Sequence, residues 1–277
     1  MIKPKNLCGQ IAMYAVLLFT VLISLYPLVW VLLSSFKTNG EILGSPFSLP
    51  KGLDFSVFKK VFVQYNFLNY TKNSLIVAGV SVIVALFIFC IASYVLAKFE
   101  FKGKRLFYVL FTITLLVPVH AKAQPIFSLI LKMNLYDTKL GLILVYLSNE
   151  LALAIFILTA GFKTIPKSLD EAALIDGASF WQIFYRVNLP LVTSALSTAG
   201  VLMFLTNWNE YFFAMLLTSG PKNRTLPLSL AFFTETFCYD YTQMFAALVI
   251  VILPGIIIYT IAQEKVQQSV ASSGIKG

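Results

Sequence analysis

A chain of 277 residues with 58% hydrophobic and only 12% charged residues, and a mean hydropathy of +0.83, lies far from the about 45–50% apolar and about 25% charged composition of soluble domains. So little charge cannot solvate the surface around a single water-soluble core, which excludes that class and makes lipid the expected solvent. The net charge of +9 does not point to nucleic acid, because the basic residues form short clusters between apolar runs, where they meet lipid headgroups.

In chain order, six runs reach the about 20 apolar residues that a helix needs to cross a hydrocarbon core. They fall at 11–33, 74–97, 106–131, 140–162, 195–217 and 244–261. Helices are the expected form, since each backbone polar group must be satisfied within its own segment. The fold class is therefore all-α integral membrane, with six spans and both termini on one side. The first run is long enough to span and lacks a small-residue cleavage site, so no cleavable signal peptide is expected. Cys8, Cys90 and Cys238 are too scattered for a disulfide framework or a metal site.

Positive charge is nearly balanced between the two sides, but Lys98, Lys102, Lys104 and Arg105 crowd one very short loop. That cluster favours cytoplasmic termini. Two connections are longer than turns. Residues 34–73 carry Phe55, Phe58, Phe62 and Tyr65 at helical spacing, the pattern of a surface helix. Residues 163–194 form a loop on the cytoplasmic side. This divides the chain into a first span with its outer segment (1–68), a core of five spans (69–264) and a cytoplasmic tail (265–277).

The 163–194 loop reads as a helix, a glycine corner and a second helix. Ser168 with Glu171 has the spacing of a capping box after Pro166, and Gly177 is placed to end that helix in a left-handed turn. Ser179 with Gln182 is a second box. Phe180, Ile183, Phe184 and Val187 line one face of the next helix, and Pro190 ends it. Ala172 and Ala173 have no bulk, so a groove of another protein could close over the first helix, with Asp170, Glu171 and Asp176 supplying charge for register. The alternative is a helix resting on the headgroups. That kind is rich in Lys and Arg on its polar face, whereas this one is acidic.

Glu171-Ala172-Ala173, then Gly177, then Leu189-Pro190 resembles the EAA loop of ABC importer permeases. Asn73-Ser74-Leu75, Leu116-Val117-Pro118, Trp208-Asn209-Glu210 and the closing Gly274-Ile275-Lys276-Gly277 resemble the sugar-importing, maltose-permease-like branch. The resemblance implies a hairpin seated in a cytosolic ABC ATPase. It also implies a second related permease and an extracytoplasmic binding protein that delivers substrate. Two ATPase subunits would bind ATP and Mg; this chain would bind no cofactor. Consistent with that, it has no phosphate loop. Gly103-Lys104 is followed by Arg105, and Lys98 stands where the first glycine belongs. No hydrolase or redox motif is present either, so the chain reads as a transporter subunit and not an enzyme.

Polar groups inside the spans each need a partner or a cavity, because a charge at the bilayer centre costs about 2.5–3.5 kcal/mol on insertion scales. His120 and Lys122 lie between Pro118 and Pro125 in the third span, where a bend facing a cavity is expected. Asn149 and Glu150 lie in the fourth span, and Asn207, Asn209 and Glu210 in the fifth. These residues are candidates for a substrate pathway. The competing reading pairs Lys122 with Glu150 as subunit glue, makes His120 a hydrogen-bonded interior residue and lets Glu210 snorkel outward. Gly220-Pro221-Lys222-Asn223-Arg224 resembles the loop that meets the binding protein, or is an ordinary surface turn. Glu235 and Asp240, in the same last outer loop, read as solvated. Rival functions are an ABC permease for amino acid, phosphate or polyamine, and an ion-coupled carrier using Lys122, Glu150 and Glu210.

Overall fold

The computed structural model describes residues 7–231 and 240–274. Lys3, Lys5, Glu235, Cys238 and the closing Ile275-Lys276-Gly277 lie outside the described residues. The chain divides into two compact units, residues 1–67 with 230–253, and residues 68–229 with 254–277.

In the first unit, α1 (Leu7–Ser34) covers the run expected at 11–33, and its most apolar window contains no buried residue, as a lipid-facing helix requires. The chain then turns back on itself. Trp30 Nε1 and Lys37 Nζ both donate to the Pro46 carbonyl, at 2.9 and 2.8 Å, and the Lys37 side chain is thereby buried with a partner. Thr38 and Glu41 cap α2 (Asn39–Gly44) reciprocally. That bond from the Thr38 backbone N–H, more than the nearby Lys51 and Lys37 charges, holds the Glu41 carboxyl below its usual range. The expected surface helix is α3 (Ser56–Gln64), but Val61, not the phenylalanine series, is its buried residue. Phe55 and Phe58 instead pack on Phe36, at ring distances of 5.2 and 5.5 Å, and Phe62 stays exposed.

In the second unit, α4 (Phe67–Lys98) and α7 (Lys139–Lys163) are unbroken and apolar enough to span. Between them, α5 (Lys104–Ile113) and α6 (Ala123–Lys132) are the arms of the third expected span. The chain turns through 105° where they are joined by short 3₁₀ turns. The sequence suggests a bend between two prolines. The sharp break sits at Val117–Pro118, because Pro118 donates no hydrogen bond and forces the residue before it into extended backbone. Pro125 lies in the first turn of α6, where a missing N–H costs nothing.

Beyond α7, the first hairpin helix is α8 (Lys167–Ile175). The second, α9 (Phe180–Leu191), contains a π-helical stretch at Ile183–Asn188. Pro190 does not end it. The helix runs through to Leu191 and then turns 75° into α10 (Thr193–Trp208). The fifth expected run is therefore split into α10 and a short α11 (Phe212–Leu217), followed by α12 (Leu226–Ser229). Finally α13 (Tyr241–Gly274) continues past the expected end of the sixth run. Among the described residues, four helices can cross a membrane by length and composition, or six if each bent pair is one span.

Two apolar cores hold the second unit. One gathers Tyr94, Phe162, Phe184, Val192, Ala195 and Met203; the other gathers Val77, Ile130, Leu142, Tyr146, Phe213 and Leu217. At the first, α7 and α10 approach so closely that a Cβ on Gly161 would lie 2.6 Å from Ala195 Cβ. Only glycine permits that contact.

Candidate functional site

The hairpin is built from local chemistry. The box between Ser168 and Glu171 is not formed: Pro166 occupies the N-cap with no side-chain cap bond, and Ser168 is already helical. The corner is as expected. Gly177 adopts φ +81°, the Ala178 N–H reaches the Ala173 carbonyl at 2.9 Å, and the Gly177 N–H reaches Leu174 at 3.0 Å. These two bonds form the paired closure of a Schellman motif. The Ser179–Gln182 box is complete and starts α9. Glu171, Ala172, Asp176 and Gly177 are exposed and Ala173 half-buried. Leu174 and Ile175 are 60% and 87% exposed, so the helix also offers an apolar tip. Val187 and Leu189 are half-buried, and Pro190 is exposed.

Asp170, expected to face a partner, faces its own chain. Its Oδ2 is 2.8 Å from Lys98 Nζ, and its Oδ1 accepts from Asn188 Nδ2 at 2.6 Å. Lys98 also donates to the Ile165 carbonyl at 2.9 Å. The Lys98 side chain is only 4% exposed and Asn188 is fully buried. One ion pair thus fastens the start of α8 to the end of α4 and to the π-helical stretch. Around it, the Tyr94 ring contacts Phe99, Phe162, Phe180 and Phe184 at 5.1–5.7 Å. Lys98 registers in the sequence as a topogenic charge only. The pairing partner of a lysine at a helix end is not marked by any local period.

The intramembrane candidates are tied in a triangle. Lys122 Nζ donates to Asn149 Oδ1 at 2.6 Å, joining the third and fourth runs, so its partner is not Glu150. Tyr146 OH donates to Glu210 Oε2 at 2.7 Å, joining the fourth and fifth. His120 sets its ring edge-on to Phe212 at 4.4 Å, joining the third and fifth, and is exposed. Glu210 also accepts from the Phe213 and Ala214 N–H groups, at 2.6 and 3.0 Å, so its carboxylate caps the first turn of α11 from one residue before the Tyr211 N-cap position. The exposed Asn209 turns its amide back to the Leu205 carbonyl at 2.8 Å. Glu150 and Asn207 are buried, at 2% and 6% exposure. Glu150 Oε1 and Asn207 Nδ2 have no hydrogen-bond partner among the described residues.

The 220–224 loop is clamped. Asp137, itself at φ +54°, accepts from the Ser219 and Gly220 N–H groups at 3.2 and 3.3 Å, and the Asn223 amide returns to its carbonyl. Asn73 Nδ2 donates to the Lys222 and Arg224 carbonyls at 2.8 and 2.9 Å, and Ser74 Oγ accepts from the Leu226 N–H. Pro221 and Lys222 remain exposed at the tip. Asn73-Ser74, legible as a motif, is thus the anchor of this loop. Asp137 carried no signal beyond its place before Thr138. Asp240, read as solvated, is half-buried and accepts from the Gln243 N–H at 3.0 Å, starting α13.

Helices able to cross a membrane several times, with a capped and exposed hairpin among them, define an all-helical multi-pass membrane protein. The chain belongs to the family described as the binding-protein-dependent transport system inner membrane component, whose model matches residues 90–272. It is 34% identical over 260 residues to the diacetylchitobiose uptake system permease protein NgcG of Streptomyces coelicolor, covering 93% of this chain and 86% of that one. It is 31% identical to the inner membrane ABC transporter permease protein YcjP of Escherichia coli, over all of both chains. It is also 31% identical to the probable starch degradation products transport system permease protein AmyC of Thermoanaerobacterium thermosulfurigenes, over 90% and 91%. Its fold matches a crystal structure of a bacterial ABC transporter involved in the import of the acidic polysaccharide alginate. The TM-score is 0.80 at 24% identity, over 95% and 98% of the two chains.

Proposed function

We propose that this chain is one of two related permease subunits of an ATP-driven importer for a sugar or oligosaccharide. Both termini lie in the cytoplasm, and residues 69–264 act as the working core. Two cytosolic ATPases bind ATP and Mg, and an extracytoplasmic binding protein delivers the solute. Relatives named for diacetylchitobiose and starch degradation products support the sugar class.

The observation that carries the coupling is the exposed Glu171-Ala172 helix ending at the Gly177 corner and rooted by the Lys98–Asp170 pair. Ser168, Glu171, Ala172, Ala173, Asp176 and Gly177 enter the ATPase groove. Asp170, with Leu189 and Pro190 on the returning helix, fixes the hairpin to the spans. When the ATPases close, α8 moves as a rigid lever, because its root is an ion pair and not a flexible loop. Coupling then follows from the different affinity of the two access states for the closed ATPase pair. His120, Lys122, Asn149, Glu150, Asn207, Asn209 and Glu210 border the pathway. The exposed His120 and Asn209 meet solute, and Glu210 and Lys122 hold the wall. The clamped tip at Gly220, Pro221, Lys222, Asn223 and Arg224 receives the binding protein.

The test is substrate-stimulated ATPase activity of the assembled complex in proteoliposomes with an Ala172→Asp/Ala173→Asp variant. Two carboxylates cannot be desolvated in a closed groove, so stimulation is expected to vanish while the complex keeps its spans folded. Full stimulation in that variant would overturn the assignment.

A further inference from the structure

The turn between α4 and α5 encloses an open recess of about 450 Å³ lined by Glu100, Lys104, Arg105, Tyr108 and Lys163. Three cations face one carboxylate there. Lys104 is held by Glu100 at 2.8 Å, and the Lys163 ammonium lies 5.5 Å from the centre of the Tyr108 ring. Arg105 is exposed and has no protein partner among the described residues. The Lys104 hydrogen bond keeps the Glu100 carboxyl below its usual range and therefore ionised, and the three cations still leave the recess with a surplus of positive charge at neutral pH. Below it, Arg105, Val109 and Ile113 follow one another at four-residue intervals. Leu106 and Leu110 lie beside them, and these four apolar side chains are 45–60% exposed. A cationic mouth above an uncovered apolar stripe has the two chemistries of one molecule, a phosphate headgroup and its acyl chains.

We propose that this recess is a binding site for an anionic phospholipid. The Arg105 guanidinium and the Lys163 ammonium hold the phosphodiester, and the Leu106–Ile113 face of α5 carries the tails. The site rests on the cytoplasmic placement of this turn, the leaflet side where anionic lipid would meet the cluster. By bracing the α4–α5 turn, a bound lipid also braces the end of α4 that carries Lys98.

The test uses the assembled transporter, delipidated in detergent and given back phosphatidylglycerol, phosphatidylcholine or soluble glycerol phosphate, with bound lipid counted by native mass spectrometry. Phosphatidylglycerol should be retained and phosphatidylcholine not. Each cation removed in Arg105→Gln and Lys163→Gln should weaken retention about fivefold. Lys59→Gln/Lys60→Gln on α3 should leave it unchanged. In the wild-type complex, which needs no variant to fold, high salt should release the lipid. Equal retention by the double variant overturns the proposal. So does equal competition by glycerol phosphate, which would make this a soluble-anion site. Loss of the ATPase subunits with lipid count unchanged would make it a protein contact and overturn it as well. The readout is bound lipid and not transport, so failure of the importer reading would show separately, in the ATPase assay above.

Discussion

At the residue scale, the coupling root and the pathway wall depend on carboxylates with contrasting duties. Asp170 neutralises a lysine that is almost out of solvent, and removing one partner of such a pair costs about 3–5 kcal/mol because the other is left unpaired. Asp170→Asn should therefore lower the thermal stability of the complex and its substrate-stimulated ATPase activity together. The paired exchange Lys98→Met with Asp170→Leu should recover most of the stability, which a double-mutant cycle on melting temperature would measure. It should not recover the coupling, since Asn188 loses its bond to α8 and keeps only the Ile183 carbonyl of its own helix. Glu210 and Asn209 are adjacent in sequence but differ in kind. Glu210→Ala removes a helix cap and a bond to Tyr146, and should destabilise by about 1–2 kcal/mol. Asn209→Ala should leave stability unchanged and alter uptake or solute preference. Wild-type uptake and preference in Asn209→Ala would remove that residue from the pathway.

At the element scale, one turn sets the geometry of the hairpin and a separate cap starts a short helix of the first unit. Gly177 sits at φ +81°, where a side chain costs about 1–2 kcal/mol. Gly177→Ala should cost that much in the hairpin without disturbing the spans, and lower ATPase coupling by misaiming α8. In the first unit, α2 depends on an ionised Glu41 that accepts from the Thr38 backbone and hydroxyl. Its carboxyl is held below the usual range, so the contribution is complete above that range and is lost as pH falls through the lowered value. Amide protection in Asn39–Gly44, measured relative to the intrinsic exchange rate at each pH, should fall on acidification, and Glu41→Gln should abolish that pH dependence. Both hairpin corners were legible, because Gly177 and the Ser179–Gln182 box act within five residues of chain. The Ser168–Glu171 box was equally legible and does not form. Proline at 166 already supplies the starting dihedral, and the helix begins two residues sooner than a Ser168 cap allows.

At the scale of the whole molecule, the proposed topology puts Asp176 and Lys222 on opposite sides of the membrane. In a chain with Cys8, Cys90 and Cys238 replaced by serine, Lys222→Cys should react with an impermeant thiol reagent in intact cells. Asp176→Cys should react only in inverted vesicles. The reverse pattern would overturn the orientation and with it the assignment of α8 to a cytosolic partner.

The sequence by itself determined the solvent, the helical class, the positions of the long spans and the presence of the hairpin. Each is encoded by residues close in sequence, through hydropathy, capping and glycine. Only the tertiary structure decided that Asp170 belongs to Lys98, that Lys122 pairs with Asn149, that Tyr146 reaches Glu210 and that Asp137 clamps the outer loop. It also decided how sharply the third run bends, by 105°. Partners separated by 27 to 83 residues are brought together by helix packing. A polar residue in an apolar run announces that it must be satisfied, but not by which neighbour.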